Sequence, residues 1–319
     1  MKNTIVALGL GAALCHPPAW AHDVPPDPPA RDMATTMAGM GWDFGAAEIT
    51  TEVLEEGFYV LFGMGGNILV SSGDDGVLIV DDQFPELMPE LRKAMRKQGD
   101  KQVDFVVNTH WHFDHAQGNL VLGPDGAWIV SHANSRHMMQ RDNVINLVAA
   151  AMVQEAYPPE ALPDITYDTT MQFHLNDERI DLLHPGPAHT TGDSAVIFRG
   201  RNAVHLGDVY NNAGYPFIDA DNGGSLEGVI AFCEAVLAEI DEDTTVIPGH
   251  GPVATYDDLV AYVHMLSTVR GELVAMIKQG RSLAEIQAAG ITATWDEKLG
   301  DPANFINRSY TSLTRRYLP

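Results

Sequence analysis

Short apolar runs alternate with turn residues from Glu48 onward, a pattern typical of β-strands. Glycine-rich turns separate the first runs, as in Gly65-Gly66 and Gly73-Asp74-Asp75-Gly76. Between two of these runs, Leu87, Leu91 and Met95 fall at a spacing that places them on one face of a helix. The pattern therefore predicts a helix over Pro85–Lys97 and strands over Phe58–Phe62, Asn67–Ser71, Val77–Val80 and Val103–Val107.

The second half of the chain repeats this alternation of strands and helices. It predicts strands over Met171–Leu175, Ile180–Leu183, Ser194–Phe198, Ala203–Leu206 and Thr245–Ile247. It predicts helices over Leu226–Ile240 and Asp257–Lys278. Two strand groups with helices between them predict an α/β protein of two similar halves, packed sheet to sheet with helices outside. The segment Arg141–Ala156 has a helical apolar pattern and is predicted to cover the site, and helices with an irregular end are predicted after Arg281.

The first residues have the features of a secretion signal. Lys2 supplies a positive start, Ile5–Leu14 an apolar run, and Ala19-Trp20-Ala21 a small-x-small cleavage site. Cutting there leaves His22 first, followed by a proline-rich stretch that we expect to be flexible as far as Arg31. We therefore predict a signal peptide over 1–21, a leader over 22–47, a catalytic domain over 48–280 and a helical tail over 281–319.

Cysteine use and charge limit the location and the partners. Cys15 lies in the predicted signal, and its lipidation is the alternative to simple cleavage. Cleavage at Ala21 would leave Cys233 as the one cysteine, and its apolar surroundings in the sequence predict a core position. Export without disulfides indicates a secreted protein of a bacterial periplasm, and no later stretch has the length and apolarity of a membrane span. The net charge of −24 argues against nucleic-acid partners, so we expect a small-molecule substrate.

The most informative segment runs from Thr109 to His115, directly after an apolar strand. His110, His112, Asp114 and His115 supply three imidazoles and a carboxylate within six residues. First-row divalent metals prefer such nitrogen and oxygen donors. Burying four such side chains is costly unless a partner compensates them. The segment therefore predicts a metal site.

Three further donors follow later strands. His189 lies in Gly186-Pro187-Ala188-His189, Asp208 ends His205-Leu206-Gly207-Asp208, and His250 lies in Pro248-Gly249-His250-Gly251. Neighbouring glycines permit backbone angles that present a side chain at a sheet edge. Taken together with the first segment, these residues predict a larger ligand set.

In this order the motifs resemble the metallo-β-lactamase superfamily, whose signature is HxHxDH followed by separate His, Asp and His positions. The resemblance covers roughly 48–278 and implies a four-layer αββα sandwich with two divalent ions, zinc being the first choice. It implies that one ion is held by His110, His112 and His189 and the other by Asp114, His115 and His250, with Asp208 bridging. It also implies that Asp81 orients the ligands.

The resemblance implies a hydrolase in which a bridging hydroxide attacks the carbonyl of an ester, thioester, lactone or amide, with Asp114 orienting it. Enzymes of this family that hydrolyse β-lactams usually carry Cys or Ser where this chain has Asp208, yet the export signal keeps a β-lactamase open. An iron-dependent oxidoreductase is a second alternative, and a periplasmic metal-binding or redox-partner protein a third. By analogy, the loop Tyr215–Ser225 faces the substrate; an ordinary turn is the alternative.

Overall fold

Two sheets packed face to face form the centre of the fold. The computed structural model describes residues 27–100 and 102–317, so the predicted signal peptide and residues 22–26 lie outside the described part. In chain order the strands are β1 (Ala30–Asp32), β2 (Thr50–Glu55), β3 (Phe58–Phe62), β4 (Ile68–Gly73), β5 (Gly76–Val80), β6 (Phe105–Asn108), β7 (Trp128–His132), β8 (Asn143–Asn146), β9 (Ala151–Gln154), β10 (Ile165–Tyr167), β11 (Thr170–Leu175), β12 (Glu178–Leu183), β13 (Ala195–Phe198), β14 (Ala203–His205), β15 (Thr245–Ile247) and β16 (Ala254–Thr255).

Helices cover the outer faces and connect the strands. In chain order they are α1 (Met33–Gly39), α2 (Met88–Gln98), α3 (Phe113–Ala116), α4 (Asn119–Leu122), α5 (Ala133–Met139), α6 (Leu226–Leu237), α7 (Tyr256–Lys278), α8 (Leu283–Ala288), α9 (Asp296–Leu299) and α10 (Ala303–Tyr317). Helix α7 begins with a capping box in which Thr255 and Asp258 satisfy each other's backbone N–H groups. Helix α2 ends at Gln98 and is followed by Gly99, whose φ of 106° lies in the left-handed region.

Each half contributes one large sheet. The first has seven strands in the order β10-β7-β6-β5-β4-β3-β2, and the second has six in the order β11-β12-β13-β14-β15-β16. In the first sheet β2 to β5 are antiparallel, while β5, β6, β7 and β10 are parallel. In the second, β14 and β15 are parallel. Parallel neighbours bring the carboxyl ends of several strands to the same edge, and the candidate ligands follow at that edge.

Three apolar cores separate four layers. Along β3, Phe58 and Val60 belong to the core between the two sheets, whereas Tyr59 and Leu61 belong to the core under α2. This alternation is what the two-residue period of a strand dictates when both faces are covered. The third core joins the outer face of the second sheet to α6, α7, α8 and α10. The predicted αββα sandwich is therefore confirmed, and Cys233 is buried in the third core.

The helix predicted over Arg141–Ala156 is wrong. This segment forms the antiparallel strands β8 and β9, which join β1 in a three-stranded sheet. Its alanine and methionine content favoured a helix, but Asn146 accepts a hydrogen bond from the backbone N–H of Val148 and forms a turn. The ladder with β1 then satisfies the backbone, so tertiary pairing overrides local helix propensity.

Both ends of the described chain are integrated into the fold. The proline-rich stretch that was expected to be flexible as far as Arg31 ends in β1, which pairs in parallel with β9 from Ala30 to Asp32. The prolines at 28 and 29 precede this strand and so remove none of its ladder donors. At the other end, α10 places Phe305, Ile306 and Tyr310 in the third core.

Within the described residues, one helix, α7, has the length and apolar composition of a membrane span. The sequence pattern had predicted none after the signal. In this fold α7 places Leu259, Leu266 and Leu273 in the third core, fully buried.

Candidate metal centre

The predicted ligands all lie at one edge of the two sheets, in loops that follow strands. The cluster from His110 to His115 follows β6, and His189 lies in the loop between β12 and β13. Asp208 follows β14 and His250 follows β15. Residues far apart in the sequence meet here because the carboxyl ends of these strands share an edge.

Three histidines form one end of the centre, which we call the histidine end. The ligand atoms of His110, His112 and His189 lie within 4.8 Å of one another. His189 Nε2 is 2.9 Å from His112 Nδ1. None of the three residues is more than 3% exposed, so this end is closed to solvent.

Two histidines and a carboxylate form the other end, which we call the carboxylate end. His250 Nε2 lies 3.2 Å from Asp114 Oδ2 and 3.2 Å from His115 Nε2. His115 is fully buried, but the side chains of Asp114 and His250 are 13% and 25% exposed. Solvent and small molecules therefore reach the centre from this end.

Asp208 faces both ends with different oxygens. Its Oδ1 is 3.1 Å from His115 Nε2 and 3.3 Å from His250 Nε2, while its Oδ2 is 3.7 Å from His189 Nε2. A carboxylate in this position has the geometry to bridge two ions, which is the role that the family resemblance implied.

Two glycines allow the backbone to close around the ligands. Gly207, with φ of 51°, leaves no room for a side chain, because a Cβ atom there would lie 2.4 Å from Thr109 Oγ1. A Cβ atom on Gly66 would lie 2.1 Å from the ring of His115. The turns that carry these glycines are therefore packed directly against the site.

Four ligand histidines are oriented by oxygen atoms behind them. Such outer partners fix the ring and its tautomer, and leave the other nitrogen for a metal. The pairs are His110 Nδ1 with Thr109 Oγ1 at 3.0 Å, His112 Nε2 with Asp219 Oδ2 at 2.9 Å, His115 Nδ1 with Asp81 Oδ2 at 2.7 Å, and His189 Nδ1 with the Phe217 carbonyl at 2.8 Å.

These partners decide which nitrogens carry lone pairs. The Phe217 carbonyl only accepts, so His189 donates from Nδ1 and its neutral ring has a lone pair on Nε2. Asp219 likewise makes His112 a donor from Nε2 and leaves a lone pair on Nδ1. These two lone pairs face each other at 2.9 Å, an arrangement that requires a cation or a proton between them.

His110 supports the same conclusion. Thr109 donates its hydroxyl hydrogen to Asp81, so it accepts from His110 Nδ1. The inward nitrogen, His110 Nε2, is buried and has no hydrogen-bond partner among the described residues. A buried acceptor without a partner is costly, and a bound cation would satisfy it. The donor set therefore fits divalent ions.

Burial and nearby charges shift the pKa values of the histidines in opposite directions at the two ends. Burial, reinforced by the neighbouring rings, lowers the pKa of His110 and of His189. Burial opposes the charged forms at the carboxylate end as well, but there the pairing of opposite charges prevails: Asp208 raises the pKa of His250 to about 9, and His250 and His115 hold the pKa of Asp208 well below its usual range. The carboxylate end thus favours positive charge, which a divalent ion supplies when bound.

Sequence reasoning missed the part that Asp219 plays. Asp219 lies in the predicted substrate-facing loop, but it is buried and bonds His112 from a position 107 residues away. The Phe217 ring in the same loop lies 5.8 Å from the ring of His189. The available signal was an aspartate directly after the apolar segment Pro216-Phe217-Ile218. The loop's role toward substrate stays a prediction.

Two other histidines are buried outside the ligand set. The ring of His132 stacks on His184 at 3.7 Å, and its Nε2 pairs with the Asp168 carbonyl. His205 is fully buried and pairs with the Asn67 carbonyl at 3.0 Å. Both rings are held by strand ends and take no part in the ligand set.

Two curated relatives match parts of the chain. The 2,4-dinitroanisole O-demethylase subunit alpha of Nocardioides sp. is 22% identical over 179 residues, which are 56% of this chain and 50% of the relative. The mitochondrial hydroxyacylglutathione hydrolase of Saccharomyces cerevisiae is 24% identical over 171 residues, 50% of this chain and 53% of the relative. The chain thus spans about half the length of each.

A solved structure and a family model cover more of the chain. The metallo-beta-lactamase from Pontibacter korlensis superposes with a TM-score of 0.56 at 16% identity, over 69% of this chain and 99% of that one, which shows a shared fold. The model of the metallo-beta-lactamase superfamily matches residues 58–258, a range that includes every predicted ligand. The chain belongs to the metallo-beta-lactamase superfamily.

Proposed function

We propose that this chain is an exported hydrolase that uses two zinc ions to attack the carbonyl of an ester, thioester, lactone or amide. The observation that carries the proposal is the arrangement of Asp208 between a closed histidine end and a partly exposed carboxylate end. Catalytic metal sites keep a position open for water or substrate, whereas structural sites are closed. The hydrolase names among its relatives support this class of reaction.

Some residues of the site would bind the metal ions, and Asp114 would also act on the attacking water. His110, His112 and His189 would hold one ion, and Asp114, His115 and His250 the other, with Asp208 between them. When bound, two such ions lower the pKa of water and polarise a carbonyl oxygen. Asp114, whose pKa stays low despite burial because His115 and His250 lie beside it, is ionised and available to orient a water and accept its proton.

The test combines metal analysis with a substrate panel. Purified protein is analysed for zinc and iron and assayed with a lactone, a thioester, a chromogenic cephalosporin and, because of the demethylase relative, 2,4-dinitroanisole. Asp208→Ala is compared with Asp125→Ala, which removes an exposed carboxylate paired with Arg92. We expect about two zinc ions and turnover of a carbonyl substrate that only Asp208→Ala abolishes.

Each other outcome changes the proposal in a defined way. Zinc-dependent turnover of the cephalosporin would make the chain a β-lactamase, and iron with redox activity would make it an oxidoreductase. A protein without bound metal, and with equal rates in both variants, would contradict the proposal. Cell fractionation of the full-length chain tests export, which predicts a mature protein beginning at His22.

A further inference from the structure

The helix α10, near the C-terminal end, reaches the loop that orients the histidine end. This helix lies beyond the segment that the superfamily model matches, which ends at residue 258. Its Arg308 is 3% exposed and donates from Nη1 to Asp221 Oδ2 at 2.6 Å. A nearly buried arginine is held only where its donors are paired. Arg308 also donates twice to Asn307 Oδ1.

Asp221 belongs to the short turn that follows Asp219. The turn Ala220–Asn222 is a single 3₁₀ turn whose cap is Asp219 itself. Asn222 donates to both carboxylate oxygens of Asp219, at 3.0 and 2.8 Å, and to the Val144 carbonyl. The Arg308–Asp221 pair therefore fixes a turn whose side chains and backbone set the position of the Asp219 carboxylate.

The start of the same loop is fixed by the same C-terminal segment. The Tyr215 hydroxyl donates to Asp296 Oδ1 at 2.8 Å and to the Thr292 carbonyl at 3.1 Å. Its ring stacks on Phe305 of α10 at 5.3 Å with planes only 9° apart. Between these two anchors lie the Phe217 carbonyl and Asp219, the groups that orient His189 and His112.

We propose that the C-terminal segment positions the histidine end of the metal centre, with Arg308 as the positioning residue that acts through Asp221 and Asp219. The inference rests on the proposed metal centre but not on the identity of the substrate. At the carboxylate end, by contrast, the structure as described has His115 oriented by Asp81, which follows β5 of the first sheet. Loss of Arg308 therefore weakens metal binding at one end of the centre and leaves the other end unchanged.

Single-site backgrounds allow the two ends to be measured separately. His250→Ala leaves the histidine end intact, and His112→Ala leaves the carboxylate end intact. In each background the zinc dissociation constant is measured by competition with a chromogenic chelator, with and without Arg308→Met. Removal of a partner that orients a ligand typically weakens metal affinity 10–100-fold, and Arg308 acts through one intermediate residue. We expect about a tenfold weakening in the His250→Ala background and less than about twofold in the other.

Matched variants separate positioning from general destabilisation. Arg201→Met removes another partly buried arginine, paired with Glu178 at 3.1 Å at the far end of the second sheet, and is expected to leave both zinc affinities unchanged. Arg308→Lys keeps a charge near Asp221 and is expected to restore part of the affinity. If Arg308→Met does not fold, Asp221→Asn tests the same ion pair with a smaller change. We again expect zinc binding to weaken at the histidine end and not at the carboxylate end.

The outcomes distinguish this inference from the proposed hydrolase. Equal weakening at both ends, or unchanged affinity at the histidine end in folded Arg308→Met, would overturn the positioning role even if the enzyme hydrolyses its substrate. Selective weakening without any hydrolysis would support the positioning role and contradict the proposed reaction. A wild-type protein that binds no zinc would overturn both.

Discussion

The two ends of the metal centre use the same ligand type in opposite environments. At the histidine end all three rings are buried, and the second-half loop around Asp219 orients two of them. At the carboxylate end two side chains are partly exposed and charges of both signs lie within 4 Å. The difference fits the proposed centre, which would hold an ion at the closed end and admit substrate at the open end.

The largest expected effect comes from removing the residue that the two ends share. Asp208→Ala would remove a carboxylate ligand from both proposed ions, and we expect kcat/KM for the best substrate to fall about 10³-fold, equivalent to roughly 4 kcal/mol of transition-state stabilisation. Steady-state kinetics with zinc in excess measure it. A fall of less than about tenfold would show that the ends work independently.

Asp219→Asn tests directly whether the Asp219 carboxylate, by orienting His112, strengthens metal binding at the histidine end. The amide is similar in shape but lacks the charge that favours donation from His112 Nε2. Partners of this kind are typically worth 10–100-fold in metal affinity, so in the His250→Ala background the zinc dissociation constant should rise by that factor. In the His112→Ala background it should stay constant, and a matching rise there would contradict the division into two ends.

The pH dependence of zinc binding distinguishes the ends by charge. With the pKa of His250 at about 9 in the metal-free protein, zinc displaces a proton at neutral pH. Affinity at the carboxylate end should therefore rise about tenfold per pH unit for each proton displaced, up to about pH 9. Burial lowers the pKa of His110 and His189, so affinity at the histidine end should be flat above neutral pH. Parallel titrations in the two single-site backgrounds provide the measurement.

Substitution of Asp82 is expected to change metal binding least and to change the free energy of unfolding. It is fully buried, and hydrogen bonds from the Gly118 backbone and the Asn108 side chain only partly offset the cost of a charge there. Burial, followed by the neighbouring Asp81 charge, raises its pKa well above the usual range. We expect Asp82→Asn to raise the free energy of unfolding by about 1–3 kcal/mol at neutral pH while leaving both zinc affinities unchanged.

The sign of this effect follows from linkage. Because the folded state holds the Asp82 proton more tightly than the unfolded state, wild-type stability is complete below the ordinary aspartate pKa and is lost as the pH rises toward the folded one. The amide mimics the neutral acid at every pH. Urea unfolding at pH 5 and pH 8 should therefore show a gap between variant and wild type that widens with pH; a constant gap would contradict a protonated Asp82.

Elements whose pattern lies in neighbouring residues were predicted well from the sequence, whereas contacts between distant segments were not. The strand Phe58–Phe62 was predicted to the residue, because a run buried on both faces and bounded by turns has few alternatives. The Arg141–Ala156 segment was mispredicted, since its pairing with β1 involves residues more than a hundred positions away. Likewise, the bond between His112 and Asp219 depends on two loops meeting at the sheet edge.

The sequence by itself determined the donor set and the layered architecture, because ligand chemistry and strand periodicity are written in neighbouring residues. Only the tertiary structure decided that the donors divide into a closed and an open end, and that Arg308 pairs with Asp221 in the loop behind the closed one. Exposure and lone-pair direction depend on what packs behind each ring. That packing is supplied by loops and by a helix that are distant along the chain, which no local pattern encodes.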